Sequence, residues 1–499
     1  MNPLNFPWLH PFLMSVYPVL GLYQANLYQV LPQETYLPFL FSVILCLCFF
    51  LIYTVITRKL RISAVLTSIS LYLFFSYGHL EKFIKQPLLI YLLFGGLIFT
   101  AARKLKYVKN TDKLHFWTNI FSLVLVAIPL VQVINYQLRI KVDFSGESVS
   151  TVVTRAVSAE KLPDIYFIIF DRYASADSLK KEFDYDLSPF TDYLKGKNFF
   201  IASKSWANYT SSAHSLTATL NMDYLDNPLD AGMKESQDWL PLYRMLENNR
   251  IQAELKKLGY KYYHFGDWWW PTGKNRHADE NVNLNVLSEF SAILVNNSAL
   301  KPLAEKFRLP LLDYRYTQWR RIRYKFDKLK EIPVEPRPTF VFAHMLVPHE
   351  PFVFRQDGSF LPLAEDSARS YKTKYLDQIE YLNREVIKLT DKFLEDKSNP
   401  PIIIFQADEG PYPEAYEADK QEFDWSEASQ KEIALKMSIL NAVYLPGEDY
   451  KNLKEDFSPV NNFRLVKAFL YGQEPELLPD LYQLTNMGKP YDYYRYDRQ

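Results

Sequence analysis

The chain has 499 residues and a formal net charge of zero, but its charge is unevenly distributed. Residues 1–150 contain 12 Lys and Arg residues against 5 Asp and Glu residues, a net charge of +7, so the remainder carries −7. The two cysteines, Cys46 and Cys48, lie in one apolar run, which excludes a disulfide framework for the rest of the chain. The length suits two or three domains, and a basic, apolar N-terminal third is typical of a membrane protein.

The N-terminal third contains apolar stretches that are long enough to cross a bilayer. There are five of them, at residues 12–30, 36–57, 62–80, 87–102 and 116–136. The series predicts an all-α transmembrane bundle of five helices at residues 1–137. No basic region precedes the first stretch and further stretches follow it, which argues against a cleaved signal peptide.

Basic residues indicate the orientation of these helices. Arg58, Lys59 and Arg61 follow the second stretch, and five more Lys and Arg residues lie at 103–113. The positive-inside rule places both loops in the cytoplasm. We therefore expect the chain after residue 137 to lie outside the cytoplasm, and we expect the N-terminus outside as well. Residues 138–160 are polar and are predicted to be a linker.

From residue 161 onward, short apolar runs alternate with charged amphipathic segments. This pattern predicts an extracytoplasmic α/β domain at 161–499 with a mostly parallel central sheet. The strand candidates are 164–170, 198–202, 260–265, 338–344 and 401–407, and the longest helix candidate is 368–396.

Two of the predicted strands end in acids. Asp171 follows the first strand, and Asp408 and Glu409 follow the last. Ligands bind beyond the carboxyl ends of the strands in parallel α/β sheets. Three carboxylates would repel one another there without a cation between them, and their oxygen atoms suit a divalent cation. The sequence therefore predicts a cation site for metal-assisted chemistry on a phosphate or sulfate ester.

Hydroxyl groups crowd the start of the helix predicted at 212–220. Thr210, Ser211, Ser212 and Ser215 are all suited to capping the helix. A hydroxyl there is also suited to act as a nucleophile, because a helix N-terminus favours a phosphate group and a metal ion would lower the pKa of the oxygen. The two roles are compatible, and the residues alone leave open which hydroxyl reacts.

Two histidines, His344 and His349, lie at the exit of the strand predicted at 338–344. They can orient a bound anion or protonate a leaving group. Residues 268–270 are three consecutive tryptophans that suit core packing, a substrate platform or an anchor at the bilayer surface. His264 and Arg276 nearby are candidate contacts to a polar head group.

These residues resemble the alkaline phosphatase/sulfatase superfamily, and within it the membrane-bound branch of lipoteichoic acid synthases and phosphoethanolamine transferases. The likeness covers about residues 161–415. Asn208-Tyr-Thr-Ser-Ser-Ala-His-Ser-Leu216 matches the family pattern Asn-Tyr-x-x-Thr-x-x-Ser-Leu with Ser212 in the Thr position. The resemblance implies that Ser212 is both the nucleophile and a metal ligand, with Thr210 as the second candidate and a substrate contact.

The resemblance also implies roles for the strand-end residues. Asp171, Ser212, Asp408 and Glu409 would hold one divalent cation, His344 would orient the transferred group, and His349 would protonate the leaving alcohol. Glu409 stands where the family has His, and all-oxygen ligation favours Mg²⁺ or Mn²⁺, with Ca²⁺ and Zn²⁺ as further options. No Cys-x-Pro-x-Arg segment is present, which excludes a formylglycine sulfatase.

The expected function is transfer of a phosphoglycerol or phosphoethanolamine group from a phospholipid head-group donor in the membrane to an envelope glycan or lipid. The alternatives are a sulfatase-like hydrolase, either a phosphodiesterase or a sulfuric ester hydrolase, and a degenerate, non-catalytic scaffold. No nucleic-acid partner is expected.

Overall fold

The structure, a computed structural model, describes residues 3–108, 110–139, 162–225, 233–284, 287–333, 335–451 and 453–498. Most of the predicted linker at 138–160 lies outside the described residues. The chain divides into two compact units. The first comprises Met1–Glu147 and Val286–Thr317, and the second comprises Ser148–Asn285 and Gln318–Gln499.

The helices and strands are numbered here in chain order. The strands are β1 (Ile165–Phe170), β2 (Phe200–Ile201), β3 (Lys261–Phe265), β4 (Glu280–Val282), β5 (Thr339–Met345), β6 (Ile402–Gln406), β7 (Asn441–Tyr444), β8 (Tyr482–Leu484) and β9 (Tyr494–Tyr496). The helices are α1 (Leu9–Ala25), α2 (Tyr36–Thr57), α3 (Leu60–Phe75), α4 (Tyr77–Glu81), α5 (Pro87–Leu105), α6 (Thr111–Arg139), α7 (Ala176–Phe183), α8 (Ser188–Gly196), α9 (Ser212–Asn221), α10 (Leu240–Glu247), α11 (Arg250–Lys257), α12 (Trp270–Gly273), α13 (Glu289–Asn296), α14 (Lys301–Phe307), α15 (Tyr314–Lys330), α16 (Leu363–Asp366), α17 (Tyr371–Phe393), α18 (Glu414–Ala418), α19 (Gln430–Met437) and α20 (Asn462–Tyr471).

The N-terminal region is helical, as predicted. Three described helical stretches are long and apolar enough to cross a membrane, namely Pro32–Thr57, Pro87–Leu105 and Thr111–Leu138. α3 is apolar but shorter, and α1 has 17 residues. The helical character of this region is thus confirmed, whereas the count of five membrane spans stays a prediction.

Contacts at one end of the first unit correct the predicted position of the N-terminus. Asn119, near the start of α6, donates from Nδ2 to the carbonyl oxygen of Leu4 at 2.7 Å. Arg61, at the start of α3, donates to Thr111 Oγ1 at 3.0 Å. The N-terminus therefore lies at the end that carries the basic loops. If those loops are cytoplasmic, the N-terminus is cytoplasmic too, and the expectation that it lies outside was wrong.

The first unit also contains a segment from the middle of the chain, Val286–Thr317, which interrupts the sequence of the second unit. α13 packs against α1, α2 and the 3₁₀ turn Pro32–Thr35. After α13, Ala299 N donates to Phe74 O at 2.8 Å, and Gly78 N donates to Asn297 O at 3.0 Å. A Cβ atom at Gly78 would lie 2.6 Å from Asn297 Oδ1 and 2.9 Å from its Cα, so this close approach requires glycine. The prediction of one domain at 161–499 did not include this division.

The second unit is built around a seven-stranded sheet of order β2-β7-β6-β1-β5-β3-β4. The five strands from β6 to β4 are parallel, and β7 is antiparallel to β6 and to β2. Alternate side chains of β1 enter two apolar cores, one with helices α7, α8 and α17 and the other with α9, α11 and α20. A central strand buried on both faces explains why β1 is apolar throughout. The predicted α/β fold with a mostly parallel sheet is confirmed.

The order of the strands brings the predicted site residues together. β1 lies between β6 and β5, and Ile169 of β1 is level with both His344 and Gln406. Because these three strands are parallel, their carboxyl ends meet at one edge of the sheet. Asp171 and Asp408, which follow β1 and β6, therefore lie beside His344 in β5.

Candidate functional site

Asp171, His344 and Asp408 form a buried group that we call the Asp-His-Asp triad. One potential ligand atom from each residue lies within 4.8 Å of the others. His344 Nε2 is 3.6 Å from Asp171 Oδ2 and 3.8 Å from Asp408 Oδ2. These distances are too long for hydrogen bonds. They are close to the separation of about 3.3 Å expected between two ligands of one tetrahedral metal ion.

The triad has unsatisfied polar atoms. Asp171 Oδ1, Asp408 Oδ2 and His344 Nε2 are buried without a hydrogen-bond partner among the described residues. Burial and then the charge of Glu409 raise the pKa of Asp171 well above its ordinary value. Burial and then the charge of Asp171 raise the pKa of Asp408 to about 7. A divalent cation would satisfy all three atoms and offset the repulsion, so the residues fit a metal ion.

His344 is oriented toward the carboxylates by Thr272. Its Nδ1 atom lies 2.9 Å from Thr272 Oγ1, which leaves Nε2 facing the two acids. His264, predicted to contact substrate, lies behind this pair in the core. Its Nε2 atom donates to Thr272 O at 2.8 Å, its Nδ1 atom bonds to the hydroxyl of Tyr262 at 3.0 Å, and burial lowers its pKa to about 4. His264 is thus placed to hold Thr272, which in turn holds His344.

Ser212 is the hydroxyl that lies beside the triad. It is the first residue of α9, its side chain is half-buried, and it lies near enough to Asp408 for its hydroxyl to lower the pKa of that carboxyl, against the larger raising effect of burial. Thr210, the second candidate, is fully buried and donates from Oγ1 to Thr485 O at 2.9 Å, while it accepts from Thr485 N at 2.9 Å. Both hydrogen-bonding directions of Thr210 are therefore used within the fold.

Ser211 is held by a different partner. His214 Nε2 lies 2.7 Å from Pro490 O, and because a carbonyl oxygen only accepts, this nitrogen carries the proton. His214 Nδ1 then accepts from Ser211 Oγ at 2.6 Å. Of the three neighbouring hydroxyls, Ser212 is the one that the structure places against a triad carboxylate.

Glu409, predicted as a metal ligand, lies in a second buried group that we call the Glu409 cluster. Its Oε2 atom lies 2.8 Å from Lys436 Nζ, and its Oε1 atom accepts from Arg172 Nε at 3.4 Å. Both cations also pack on the ring of Tyr412, at 3.5 Å for Arg172 and 3.8 Å for Lys436. The Glu409 charge therefore has cations beside it inside the protein, and the third potential ligand grouped with the two aspartates is His344.

His349 lies in the loop after β5, where its backbone N donates to Asp171 O at 3.2 Å. Its Nδ1 atom contacts the carbonyl oxygen of Glu350, so Nδ1 carries the proton and Nε2 keeps its lone pair. Burial and then the charge of Arg172 lower the pKa of His349 well below its ordinary value. In this tautomer Nε2 has a lone pair that can accept a proton, and the acid role of His349 stays a prediction.

The tryptophans predicted as core, platform or bilayer anchor flank the histidines. The Trp269 ring lies 5.8 Å from the ring of His344, and the Trp268 ring lies 6.0 Å from that of His349. Arg276, predicted to contact substrate, is exposed and donates to Glu247 Oε2 at 2.5 Å. The structure thus places the tryptophans at the site and Arg276 in a surface ion pair.

A buried group that sequence reasoning missed supports the end of β5. Lys325 of α15 lies 2.5 Å from Asp267 Oδ2 and also contacts the carbonyl oxygen of His344. Arg321 is 3.4 Å from Asp267 Oδ1. Asp267 and α15 are far apart in the sequence, and no local pattern pairs them. Their contacts fix the backbone from which the His344 side chain projects.

Comparison with known proteins gives similarity at the level of structure alone. No family model and no curated protein matches the chain. The integral membrane phosphoethanolamine transferase EptA of Neisseria meningitidis is 12% identical, with 92% of this chain and 95% of that chain covered and a TM-score of 0.43. The periplasmic domain of the phosphoethanolamine transferase EptC of Campylobacter jejuni is 12% identical, covering 63% and 91%, with a TM-score of 0.38. The Zn complex of the periplasmic EptC domain of Escherichia coli is 11% identical, covering 68% and 94%, with a TM-score of 0.41. At these values the similarity does not assign an activity.

Proposed function

We propose that this protein is a membrane-anchored, metal-dependent transferase that moves a phospho-group from a phospholipid head group through a covalent intermediate on Ser212. The observation that carries the proposal is the triad of two acids and a histidine with buried, unsatisfied atoms, with the Ser212 hydroxyl close to Asp408. The match of Asn208–Leu216 to the family pattern supports the same nucleophile.

Asp171, Asp408 and His344 would hold the cation. Two carboxylate oxygens and one imidazole nitrogen are a donor set for Zn²⁺ or Mn²⁺, whereas Mg²⁺ and Ca²⁺ prefer oxygen ligands alone. The inclusion of His344 in place of Glu409 therefore moves the preference from Mg²⁺ toward Zn²⁺. A bound cation would polarise the phosphoryl group and lower the pKa of the Ser212 hydroxyl.

Ser212 would attack the phosphorus atom of the donor. The new bond joins Ser212 Oγ to phosphorus, the bond from phosphorus to the lipid oxygen breaks, and the proton given up by Ser212 goes to the departing lipid oxygen, which leaves as an alcohol. The position of Ser212 beside Asp408 would bring its Oγ atom close to a phosphate at the triad, and the N-terminus of α9 favours the negative charge of the phosphate. A cation held by the triad and Ser212 would thus act on the same phosphate.

His349 would serve the second half of the reaction. With Nδ1 held by Glu350 O, its Nε2 lone pair is suited to take the proton from an incoming acceptor hydroxyl. The acceptor oxygen then bonds to phosphorus, the bond from phosphorus to Ser212 Oγ breaks, and the proton held by His349 goes to the Ser212 oxygen, which restores the hydroxyl. A glycan or lipid hydroxyl as acceptor makes the protein a transferase, and water as acceptor makes it a phosphodiesterase.

Catalysis would take place outside the cytoplasm. The basic loops give the cytoplasmic end of the helices. Ala299 and Asn297, which belong to the inserted segment, bond to Phe74 and Gly78 at the end of α3 that lies opposite Arg61. The inserted segment therefore lies at the end of the helices away from the basic loops. This position supports an outer location for the residues that precede and follow the insertion, and so for the site.

The test is intact-mass spectrometry of the purified full chain after incubation with vesicles of phosphatidylethanolamine or of phosphatidylglycerol. We expect a head-group adduct on the native protein that is absent from Ser212→Ala and present in Ser211→Ala, the matched neighbouring hydroxyl. An adduct that persists in Ser212→Ala would contradict the assignment. Release of free phosphorylated head group without an acceptor would instead favour the hydrolase.

A further inference from the structure

The inserted segment Val286–Thr317 exposes apolar side chains that the fold does not use. After residue 139, the described residues include seven exposed large apolar side chains, and three of them lie within nine consecutive residues. They are Leu303, Phe307 and Leu311, with exposed fractions of 42%, 64% and 54%. Leu303 and Phe307 are four residues apart in α14 and share one face. The cluster is therefore a concentrated apolar surface.

This surface belongs to a segment that is anchored at the ends of the apolar helices. Ala299 N bonds to Phe74 O at 2.8 Å, the Tyr91 hydroxyl donates to Ala299 O at 2.7 Å, and Lys301 Nζ pairs with Glu81 Oε2 at 2.7 Å. Phe74, Glu81 and Tyr91 surround the connection between α3 and α5. Helices that cross a membrane end at the head-group layer, so a segment fixed to their ends lies at that level.

Basic side chains accompany the apolar ones. Lys306 and Arg308 are exposed on either side of Phe307, and Phe83, in the loop beside Glu81, has an exposed fraction of 85%. Lys and Arg can extend to lipid phosphates while neighbouring Leu and Phe side chains enter the acyl boundary. The combination of charge and apolar exposure matches a bilayer surface with anionic lipids better than it matches water.

We infer that residues 301–311, the interfacial segment, lie in the outer head-group layer of the membrane. Leu303, Phe307 and Leu311 would be immersed at the acyl boundary, and Lys306 and Arg308 would face lipid phosphates. The inference concerns a membrane contact and does not depend on whether Ser212 is the nucleophile.

The test uses the full chain in vesicles. Because the chain has only two cysteines, both can be removed before single labelling sites are introduced. In a Cys46→Ala, Cys48→Ala background, single cysteines replace Leu303, Phe307 or Leu311 and carry a nitroxide label. Collision with lipid-soluble oxygen and with a water-soluble nickel chelate is then compared. Leu51→Cys, exposed on the apolar helix α2, is the lipid control, and Asp396→Cys, exposed in the loop after α17, is the water control.

We expect the labels at all three positions to collide several-fold more with oxygen than with nickel, like the label at position 51. Labels that collide more with nickel than with oxygen, like the label at position 396, would overturn the inference. Exclusion of both reagents together with spin–spin broadening would overturn it as well, since it would indicate contact with a second copy. Because the three positions are exposed, these replacements leave the packing of α13 intact.

A second measurement tests the basic residues. In vesicles with phosphatidylglycerol, Lys306→Gln combined with Arg308→Gln should raise the nickel accessibility of the label at position 307 several-fold. Neutral phosphatidylcholine vesicles should show a smaller change. Equal changes in both vesicles would contradict a role for lipid phosphates.

Discussion

The Asp-His-Asp triad and the Glu409 cluster are two buried charged groups at the same edge of one sheet, and they differ in how their charge is matched. Glu409 has two internal cations, Arg172 and Lys436. Asp171 and Asp408 face a histidine whose Nε2 atom lies 3.6 and 3.8 Å away. Glu409 Oε2 and Lys436 Nζ, like the triad atoms, are buried without a hydrogen bond of good geometry. The difference is that Glu409 has two cations within ion-pair distance, whereas the only ion-pair partner of the triad acids among the described residues is a histidine.

The difference indicates which group is structural and which is functional. A buried charge with its counter-ion in place holds a fold, and removal of one partner leaves an uncompensated charge. A buried pair of acids whose pKa values are raised is a candidate for an external cation. We therefore propose that the Glu409 cluster supports fold stability and that the triad binds metal, and each proposal can be tested by itself.

The largest expected effect is on stability. Lys436→Met keeps the length of the side chain but leaves Glu409 with Arg172 alone, and we expect the free energy of unfolding to fall by about 3 kcal/mol. Denaturant unfolding in detergent micelles measures it. The double variant Glu409→Gln, Lys436→Met should recover much of this loss, and metal affinity should change little. Loss of metal without loss of stability would place Glu409 in the metal site.

A variant of a triad residue should instead change metal affinity more than stability. Asp408→Asn removes one charged ligand, and we expect the affinity for Zn²⁺ or Mn²⁺ to fall by at least ~100-fold. The reason is that loss of a residue that only hydrogen-bonds to a metal ligand already lowers metal affinity by about 10–100-fold. Calorimetric titration measures the affinity. Asp164→Asn is the matched control, because Asp164 lies just before β1, at its amino end, and accepts from Thr339 N at 2.7 Å. Unchanged affinity in Asp408→Asn would remove Asp408 from the site.

The raised pKa values predict how the metal-free protein responds to pH. Unfolded aspartates ionise near pH 4, while folded Asp408 ionises near 7 and folded Asp171 is also raised. Stability contributed by these groups is therefore greatest below about pH 4 and is lost as pH rises through 7. Thermal unfolding should show that divalent cations stabilise the protein more at pH 8 than at pH 5. Equal stabilisation at pH 5 and pH 8 would contradict the presence of a cation between Asp171 and Asp408.

The smallest expected effect concerns the orientation of His344. Thr272→Val removes the hydrogen bond to Nδ1, and we expect metal affinity to fall by ~10-fold with a stability change of about 1 kcal/mol. Thr390→Val is the control, because Thr390 is equally buried but bonds within α17 to Val386 O. An equal loss of affinity in both variants would show that Thr272 acts only through packing.

Local sequence was sufficient to predict the elements that carry the acids. The runs before Asp171 and Asp408 are continuous and β-branched or aromatic, as expected for buried parallel strands, and β1 and β6 lie within a residue of the predicted bounds. β4 and β7 were not predicted. Both are short, and β7 pairs antiparallel at the far side of β6, which depends on tertiary context rather than on its own pattern.

The partners of the site residues could not be predicted in the same way. Lys436 reaches Glu409 from α19, and Thr272 reaches His344 from the turn after the tryptophans. Such pairings follow from strand order and from how helices cover the sheet, which a single sequence does not encode locally. This is why Glu409 was expected at the metal and His344 was expected to act on substrate.

The close packing of Gly78 against Asn297 has a practical consequence for anyone who divides this protein. Release of residues 162–498 from the membrane helices takes one cut in sequence, but the product would still carry Val286–Thr317. α13 buries Phe290 and Leu294 where it packs against α1 and α2, and these side chains would then meet water. A truncated protein is expected to aggregate unless residues 287–317 are also replaced by a short polar loop, so a soluble form requires two excisions rather than one.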